Sequence, residues 1–294
     1  MNGVNQKVQT TMEVILLGTG GPKPDPDRQG PSVAVRIDRT LLLFDAGRGA
    51  TTQLVRAGIS LGDVNPVFIT HPHFDHIGGL GDFILSGWNL GRNTILSIFG
   101  PQGTEAIVNS LLKGVYKSDI AFREKEAVIS GVPLADIRQI VKPKDVNPGL
   151  VFADQRIKVF CEFVQHGHGL GIPLEDWQCL AYRIEAEGKS VTISGDAVDC
   201  SGLDSLAKNT DALVICCYLS RREMLEREGN LIGKHILACA PQVGKIAARA
   251  KVKKLILTHI REKSDDLMEE VVAEIKFDYD GDIIAGKDLM EIRV

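Results

Sequence analysis

The chain carries seven histidines, at 71, 73, 76, 166, 168, 235 and 259, and three of them fall within six residues. Residues 67–80 read V-F-I-T-H-P-H-F-D-H-I-G-G-L. An apolar stretch ends at Thr70, and the loop beyond it offers two imidazoles, a carboxylate and a third imidazole. Strand-like alternation lets His71, His73 and Asp75 point one way while His76 turns aside, so one short loop can feed two neighbouring metal positions. Imidazole nitrogen and carboxylate oxygen suit zinc, at bond lengths of about 2.0–2.2 Å. Gly78 and Gly79 leave room for the backbone to pass close beneath such a site. The bland reading is a polar loop that caps a strand, and this clustering weighs against it.

Other donors occupy similar places. Asp196 follows V-T-I-S-G, His259 follows L-I-L-T, and His166 and His168 follow V-F-C-E-F-V-Q. Each comes at or just past an apolar strand, where open α/β sheets place their sites. Singly, any of them could be a hydrogen-bonded strand-end residue. Together with the first cluster they supply the other half of a two-metal site. His166 and His168 share parity, so alternation cannot choose between them; nearness to the strand favours His166. His168, between two glycines, suits a mobile loop and a part in substrate contact or proton transfer, or else is a solvated loop residue. Asp45 ends L-L-L-F-D-A-G and suits holding a ligand's ring or a loop amide, with a plain turn aspartate as the alternative. Trp88 and Trp177 could line an aromatic substrate pocket, but taken singly each reads as core or rim packing.

These donors need a scaffold. Short apolar runs predict strands at Met12–Gly18, Ser32–Ile37, 41–45 and 67–70, then at 157–164, 179–184, 190–194, Ala212–Cys216 and Lys254–Thr258. Helical spacing predicts helices at 49–57, 103–113, Ala240–Ala250 and 264–275. Hairpin-like strands followed by strands alternating with helices occur twice. That order predicts an α/β fold, a four-layered αββα sandwich formed as one domain over 1–294, with pseudo-repeated halves of about 1–122 and 150–294. Segment 123–149 is charged, carries Pro133, Pro143 and Pro148, and reads as a connection or a surface excursion. The G-T-G-G-P stretch at 18–22 continues with Lys23 and two more prolines, which argues for an extended loop rather than a dinucleotide-binding turn. No organic cofactor is expected.

The order H-x-H-x-D-H, a His after a strand, S-G-D and then L-T-H resembles the metallo-β-lactamase superfamily over nearly the whole chain. L-G-T-G near the start, Arg28 and Ser32, Y-R-I-E at 182–185 and S-G-D are similar to its ribonuclease Z/arylsulfatase branch. The stretch 87–123 looks more like the arylsulfatase-type members than the tRNA-processing ones. The resemblance implies that His71, His73 and His166 hold a first zinc and Asp75, His76 and His259 a second, with Asp196 bridging. V-Q-H-G, similar to the family's V-x-H-G, is a second argument for His166. Mn²⁺ or Fe²⁺ are alternatives to zinc. The implied mechanism is hydrolysis by a metal-bridging hydroxide, with Asp75 and Asp196 as catalytic carboxylates. His235 is the candidate for protonating the leaving group, although it lies two or three residues early and lacks its Ser-Thr companions. A Glu usual in ribonuclease Z is replaced by Cys216 or Cys217. Segment 167–177 looks longer than usual and suits a substrate lid.

Composition bounds the rest. The 294 residues are 44% hydrophobic and 24% charged, which excludes long disorder and a membrane bundle. The charge is 34 − 38 = −4, so no net basic field holds polyphosphate non-specifically, although the sequence leaves room for a local basic patch. Six irregularly spaced cysteines read as buried, reduced thiols, and residues 1–11 lack a signal peptide's apolar stretch, so a cytoplasmic location is expected. The expected function is a dinuclear zinc hydrolase acting on a small organic substrate, an aryl sulfate or phosphate ester. The acidic balance and the missing basic-glycine arm argue against a nucleic-acid partner. A tRNA 3′-processing endonuclease is the alternative, followed by a lactonase, a hydrolytic dehalogenase or a non-catalytic metal-binding relative. No membrane partner is expected, and a homodimer is compatible with the sequence.

Overall fold

The computed structural model describes residues 11–294. The reading of residues 1–10 as free of a targeting signal lies outside the described residues. Among those described, no helix is long and apolar enough to cross a membrane.

Among the described residues, fourteen strands form two seven-stranded sheets. The first contains β1 (Met12–Gly18), β2 (Ser32–Ile37), β3 (Thr40–Phe44), β4 (Val64–Phe68), β5 (Leu96–Gly100) and β6 (Val141–Asp145). The second contains β7 (Gly149–Ala153), β8 (Ile157–Phe163), β9 (Leu180–Ala186), β10 (Lys189–Ile193), β11 (Ala212–Cys216), β12 (Lys254–Thr258) and β13 (Asp282–Ala285). The last strand, β14 (Met290–Arg293), returns to pair antiparallel with β1, Val14 facing Ile292. Each sheet is antiparallel at one end and parallel at the other, in the orders β14-β1-β2-β3-β4-β5-β6 and β13-β12-β11-β10-β9-β8-β7.

Alternating side chains build the layers. Val14 and Leu16 join Val214 and Ile256 in a core between the sheets. Ile15 and Leu17 point outward with Phe83, Trp88, Val108 and Ile120 from covering helices. Leu213, Ile215, Leu255 and Leu257 do the same on the other side, beneath Val243 and Ile246 of the helix Ala240–Ala250 and Val271 of the helix Asp265–Lys276. Strands covered on both faces need apolar residues at every position, which is why β11 is buried throughout. The expected αββα sandwich is therefore observed.

Two readings change. Segment 123–149 is not merely a connection: it completes the helix Lys117–Ser130, adds the turn Ile137–Ile140 and ends in β6. Pro143 is tolerated there because β6 is an edge strand, and the exposed Lys142 and Lys144 blunt that edge. The first sheet thus draws β6 from beyond residue 122 and β14 from the far end of the chain. The cysteines are free, and all but the half-buried Cys200 are buried, with Cys216 and Cys217 in the outer core beneath the second sheet's helices.

Candidate metal centre

The predicted donors converge at one edge of the sandwich, where parallel strands of both sheets end. His71 lies three residues past β4, His166 three past β8, Asp196 three past β10 and His259 one past β12. Two links tie the sheets together beneath them: the Tyr182 hydroxyl donates to the Ile69 carbonyl at 2.8 Å, and the Leu180 amide to the Thr70 carbonyl at 2.8 Å.

His71, His73, His166 and Asp196 form one donor group; Asp75, His76 and His259 form a second beside it. In the first, His73 Nδ1 lies 2.9 Å from His71 Nε2 and 3.1 Å from His166 Nε2. In the second, His259 Nε2 lies 3.4 Å from Asp75 Oδ2. Asp196 reaches both: Oδ1 is 3.4 Å from His76 Nε2, and Oδ2 is 3.3 Å from His259 Nε2 and 3.8 Å from His71 Nε2. Strand-like alternation does not extend to Asp75. Phe74–Ile77 is a helical turn, not extended chain, so Asp75 turns with His76 instead of following His71 and His73.

A second set of contacts orients the rings. Asp45 Oδ1 accepts from the Thr70 amide at 2.7 Å, and Oδ2 accepts from the Thr70 hydroxyl at 2.8 Å. The same Oδ2 lies 2.8 Å from His76 Nδ1. With its proton given to Asp45, the Thr70 hydroxyl can accept from His71 Nδ1 at 3.0 Å. His166 Nδ1 faces the Ile236 carbonyl at 2.7 Å. Each contact calls for a proton on Nδ1, leaving Nε2 with its lone pair towards the donors. Asp45 thus both holds a ring and binds a loop amide. His259 adopts a left-handed backbone, φ 51°, and any side chain at Gly21 would approach its Cε1 to 2.9 Å.

The protonation states suit a cation. Burial pushes His71 well below its ordinary value, with His76 adding to the effect; it lowers His166 and, with His166 beside it, brings His73 to about 4. Burial opposes ionisation of Asp196, but His259 and His76 hold it well below the usual carboxylate range. Burial also disfavours a charged His76, yet Asp196 and Asp45 keep it well above its ordinary value. Carboxylates that draw a proton onto an imidazole would draw a metal ion in its place. The residues fit such an ion. Asp75 Oδ2, His76 Nε2, Asp196 Oδ1 and both ring nitrogens of His259 are buried without a hydrogen-bond partner, a costly state unless a ligand meets them.

The remaining candidates separate. His168 is outside both groups, its ring nitrogens engaged by His166 and Trp177 main-chain atoms. His235 is also outside them; its ring borders Gly169, and its carbonyl accepts from the Gly167 amide at 2.8 Å. Trp88 is fully buried and donates to the Ala135 carbonyl at 2.7 Å, whereas Trp177 sits 4.6 Å from the His73 ring. Thr70 is the participant that sequence reading passed over. Its place between a strand end and a ligand histidine was the available signal.

A four-layered sandwich with two abutting histidine–carboxylate groups at its strand ends defines a metallohydrolase fold. Residues 25–160 match the family model of the metallo-beta-lactamase superfamily. Ribonuclease Z of Mycobacterium bovis (strain BCG / Pasteur 1173P2) is 32% identical over 291 residues, covering 96% of this chain and 98% of that one. The fold is also similar to that of the metallo-beta-lactamase fold protein YhfI from Bacillus subtilis, with TM-score 0.72, 17% identity, and 97% and 100% of the two chains covered. Human tRNase Z, short form, superposes with TM-score 0.67 at 21% identity, covering 95% and 98%. The chain belongs to the metallo-beta-lactamase superfamily, as a relative of the ribonuclease Z enzymes, and the expectation of a metal-dependent hydrolase stands.

These relatives overturn the expectation that nucleic acid is not a partner, and they give no support to an aryl sulfate. The whole-chain charge does not exclude such a partner. A net charge of −4 sums over the whole chain, but a phosphate responds to charges within about 10 Å. Beside His259, a cleft of about 260 Å³ runs from Gly21 and Tyr218 past Lys23 and Arg261, with Asp25 and Glu262 also on its wall.

Proposed function

We propose that the protein is a metal-dependent endonuclease of the ribonuclease Z kind, hydrolysing a phosphodiester at the 3′ side of precursor tRNA. The observation that carries this reading is the 32% identity to ribonuclease Z across 96% of the chain, joined to a full set of seven donors. The donors suit two divalent ions, with zinc first among them. His71, His73 and His166 would hold one; Asp75, His76 and His259 would hold the other; Asp196 would serve both. When bound, such a pair supplies Lewis-acid charge and activates water at neutral pH.

The chain's own groups do the rest. Asp45, Thr70 and the Ile236 carbonyl keep three imidazoles in the tautomer that presents Nε2. Asp75, whose Oδ2 lies 3.9 Å from His76 Nε2 and 3.4 Å from His259 Nε2, would orient the attacking water through its carboxylate. The Glu expected after β11 is replaced by cysteine, and burial pushes the Cys216 thiol up to about 12 and Cys217 well above its ordinary value. Neither carries a proton relay at neutral pH. Leaving-group protonation therefore falls to His235 or to solvent.

The test is cleavage of precursor tRNA by the zinc-loaded protein, with the 3′ ends of the products mapped. Cutting at one site, lost in Asp75→Ala, supports the proposal. Intact precursor under conditions where the protein hydrolyses bis(p-nitrophenyl) phosphate would sink the tRNA assignment and leave a phosphodiesterase of another substrate.

A further inference from the structure

Between β8 and β9 the chain runs through residues 167–177 beside the first donor group, and His168 fastens both ends of that run. Its Nδ1 accepts from the His166 amide at 3.1 Å, and its Nε2 donates to the Trp177 carbonyl at 2.9 Å. One neutral tautomer, protonated on Nε2, satisfies both bonds. The ring joins the backbone of a donor residue to the backbone of the residue whose indole lies on another donor. The Trp177 ring sits 4.6 Å from His73 at 43° and 6.0 Å from His71 at 80°. Tyr218, on the opposite side, is 5.7 Å from His259.

The neighbouring chain is shaped around this link. Residues 168–170 make a single tight turn, and a side chain at Gly169 would lie 2.1 Å from His235 Nδ1, so only glycine fits there. His235 and Ile236 brace the turn from behind through their carbonyls, which take the Gly167 amide and His166 Nδ1. Further along, the Asp176 and Trp177 amides donate to the Pro173 carbonyl, closing the run into a compact loop. A solvated loop histidine would need neither bond.

We propose that His168 is a positioning residue that staples segment 167–177 beside the first donor group and holds the Trp177 indole against His73 as a fixed aromatic wall of the substrate cleft. In an RNA-cleaving site, that wall meets the nucleobase flanking the scissile phosphate, since base–aromatic stacking is strong and tolerant of sequence. This last part rests on the ribonuclease reading; the staple does not.

The experiment compares His168→Ala, His168→Gln, His168→Asn and Trp177→Ala in the full-length protein. Acrylamide quenching reads Trp177 because Trp88, the other tryptophan, is fully buried. The His168→Ala variant should bind metal at wild-type stoichiometry, expose Trp177 to quencher, and raise KM for precursor tRNA about tenfold with kcat within about twofold. Glutamine places an N–H near the Nε2 position and should restore Trp177 protection. Asparagine replaces only the Nδ1 acceptor and should not. Trp177→Ala should raise KM equally, and the double alanine variant should be no worse than either single one. Unchanged quenching in His168→Ala, additive KM effects, or a loss of metal that glutamine fails to repair would each overturn the proposal. Should the wild-type protein leave precursor tRNA intact, the ribonuclease reading fails, and the quenching series in metal-free protein still decides the staple.

Discussion

Asp45 Oδ2 meets His76 Nδ1 at 2.8 Å, and the same carboxylate binds the amide and hydroxyl of Thr70. Asp45 belongs to the end of β3 and His76 to the turn after β4, so one buried side chain fixes the neighbouring strand's donor-bearing loop and the tautomer of a ring within it.

Asp45→Asn is expected to keep the amide contact but invert the ring. A side-chain N–H in place of Oδ2 would donate to Nδ1 and move the His76 proton to Nε2, the atom that faces the second donor group. Zinc affinity at that group should fall about 10–100-fold, with much less change at the first. Competition against a chromophoric chelator measures the two affinities. Equal affinities in mutant and wild type would show that the contact is not what sets the ring.

Asp196 touches both groups, so Asp196→Ala should lower total metal content from about two ions per chain and abolish turnover together. His259→Ala removes a donor from one group only and should leave about one ion. Metal analysis after gel filtration distinguishes the two patterns. Two ions retained in Asp196→Ala would contradict a shared carboxylate.

Stability of the metal-free protein should fall as pH drops from about 6.5 towards 4. His71, His73 and His166 are lowered in the folded state, His73 to about 4, whereas unfolded histidine titrates near 6.5. In that window the unfolded chain binds more protons, so acid favours unfolding, by up to about 1.4 kcal/mol per pH unit for each fully buried group. His73 is less buried than His71, and solvent screening reduces its share. His76, raised in the folded state, acts oppositely: its contribution is complete below 6.5 and is lost as pH rises through its folded value. Urea midpoints across pH 4–7, with and without zinc, test the slope. Zinc should steepen it above the pH where protons displace the metal, because bound metal keeps these rings deprotonated in the folded state and removes the His76 proton.

His235 lies outside both donor groups, with its ring against Gly169. His235→Ala is expected to keep full metal content and to lower kcat about 10²-fold through loss of a proton donor. The kcat loss should largely disappear on a substrate with a better leaving group, such as p-nitrophenolate, which departs without a proton. Equal losses on good and poor leaving groups would remove His235 from the proton-transfer step.

The six-residue run His71–His76, with Asp196 and His259 each at a strand end, was legible without coordinates because clustering of donors and the end of an apolar run are both local properties. The strands at Met12–Gly18, Ser32–Ile37, Ala212–Cys216 and Lys254–Thr258 and the helix Ala240–Ala250 were legible for the same reason: both faces, or one clean face, are buried. The edge strands β6, β13 and β14 were not. They are short and carry charges or a proline, and pairing with a distant neighbour, β14 with β1 across nearly the whole chain, is what makes them strands. Asp75 siding with His76 and Trp177 resting on His73 were likewise decided only in three dimensions, whereas the sequence already favoured His166 over His168. In both cases the residue types permit two arrangements, and the selection is made by a partner far away in sequence: Asp45 for His76, and the first donor group itself for the indole.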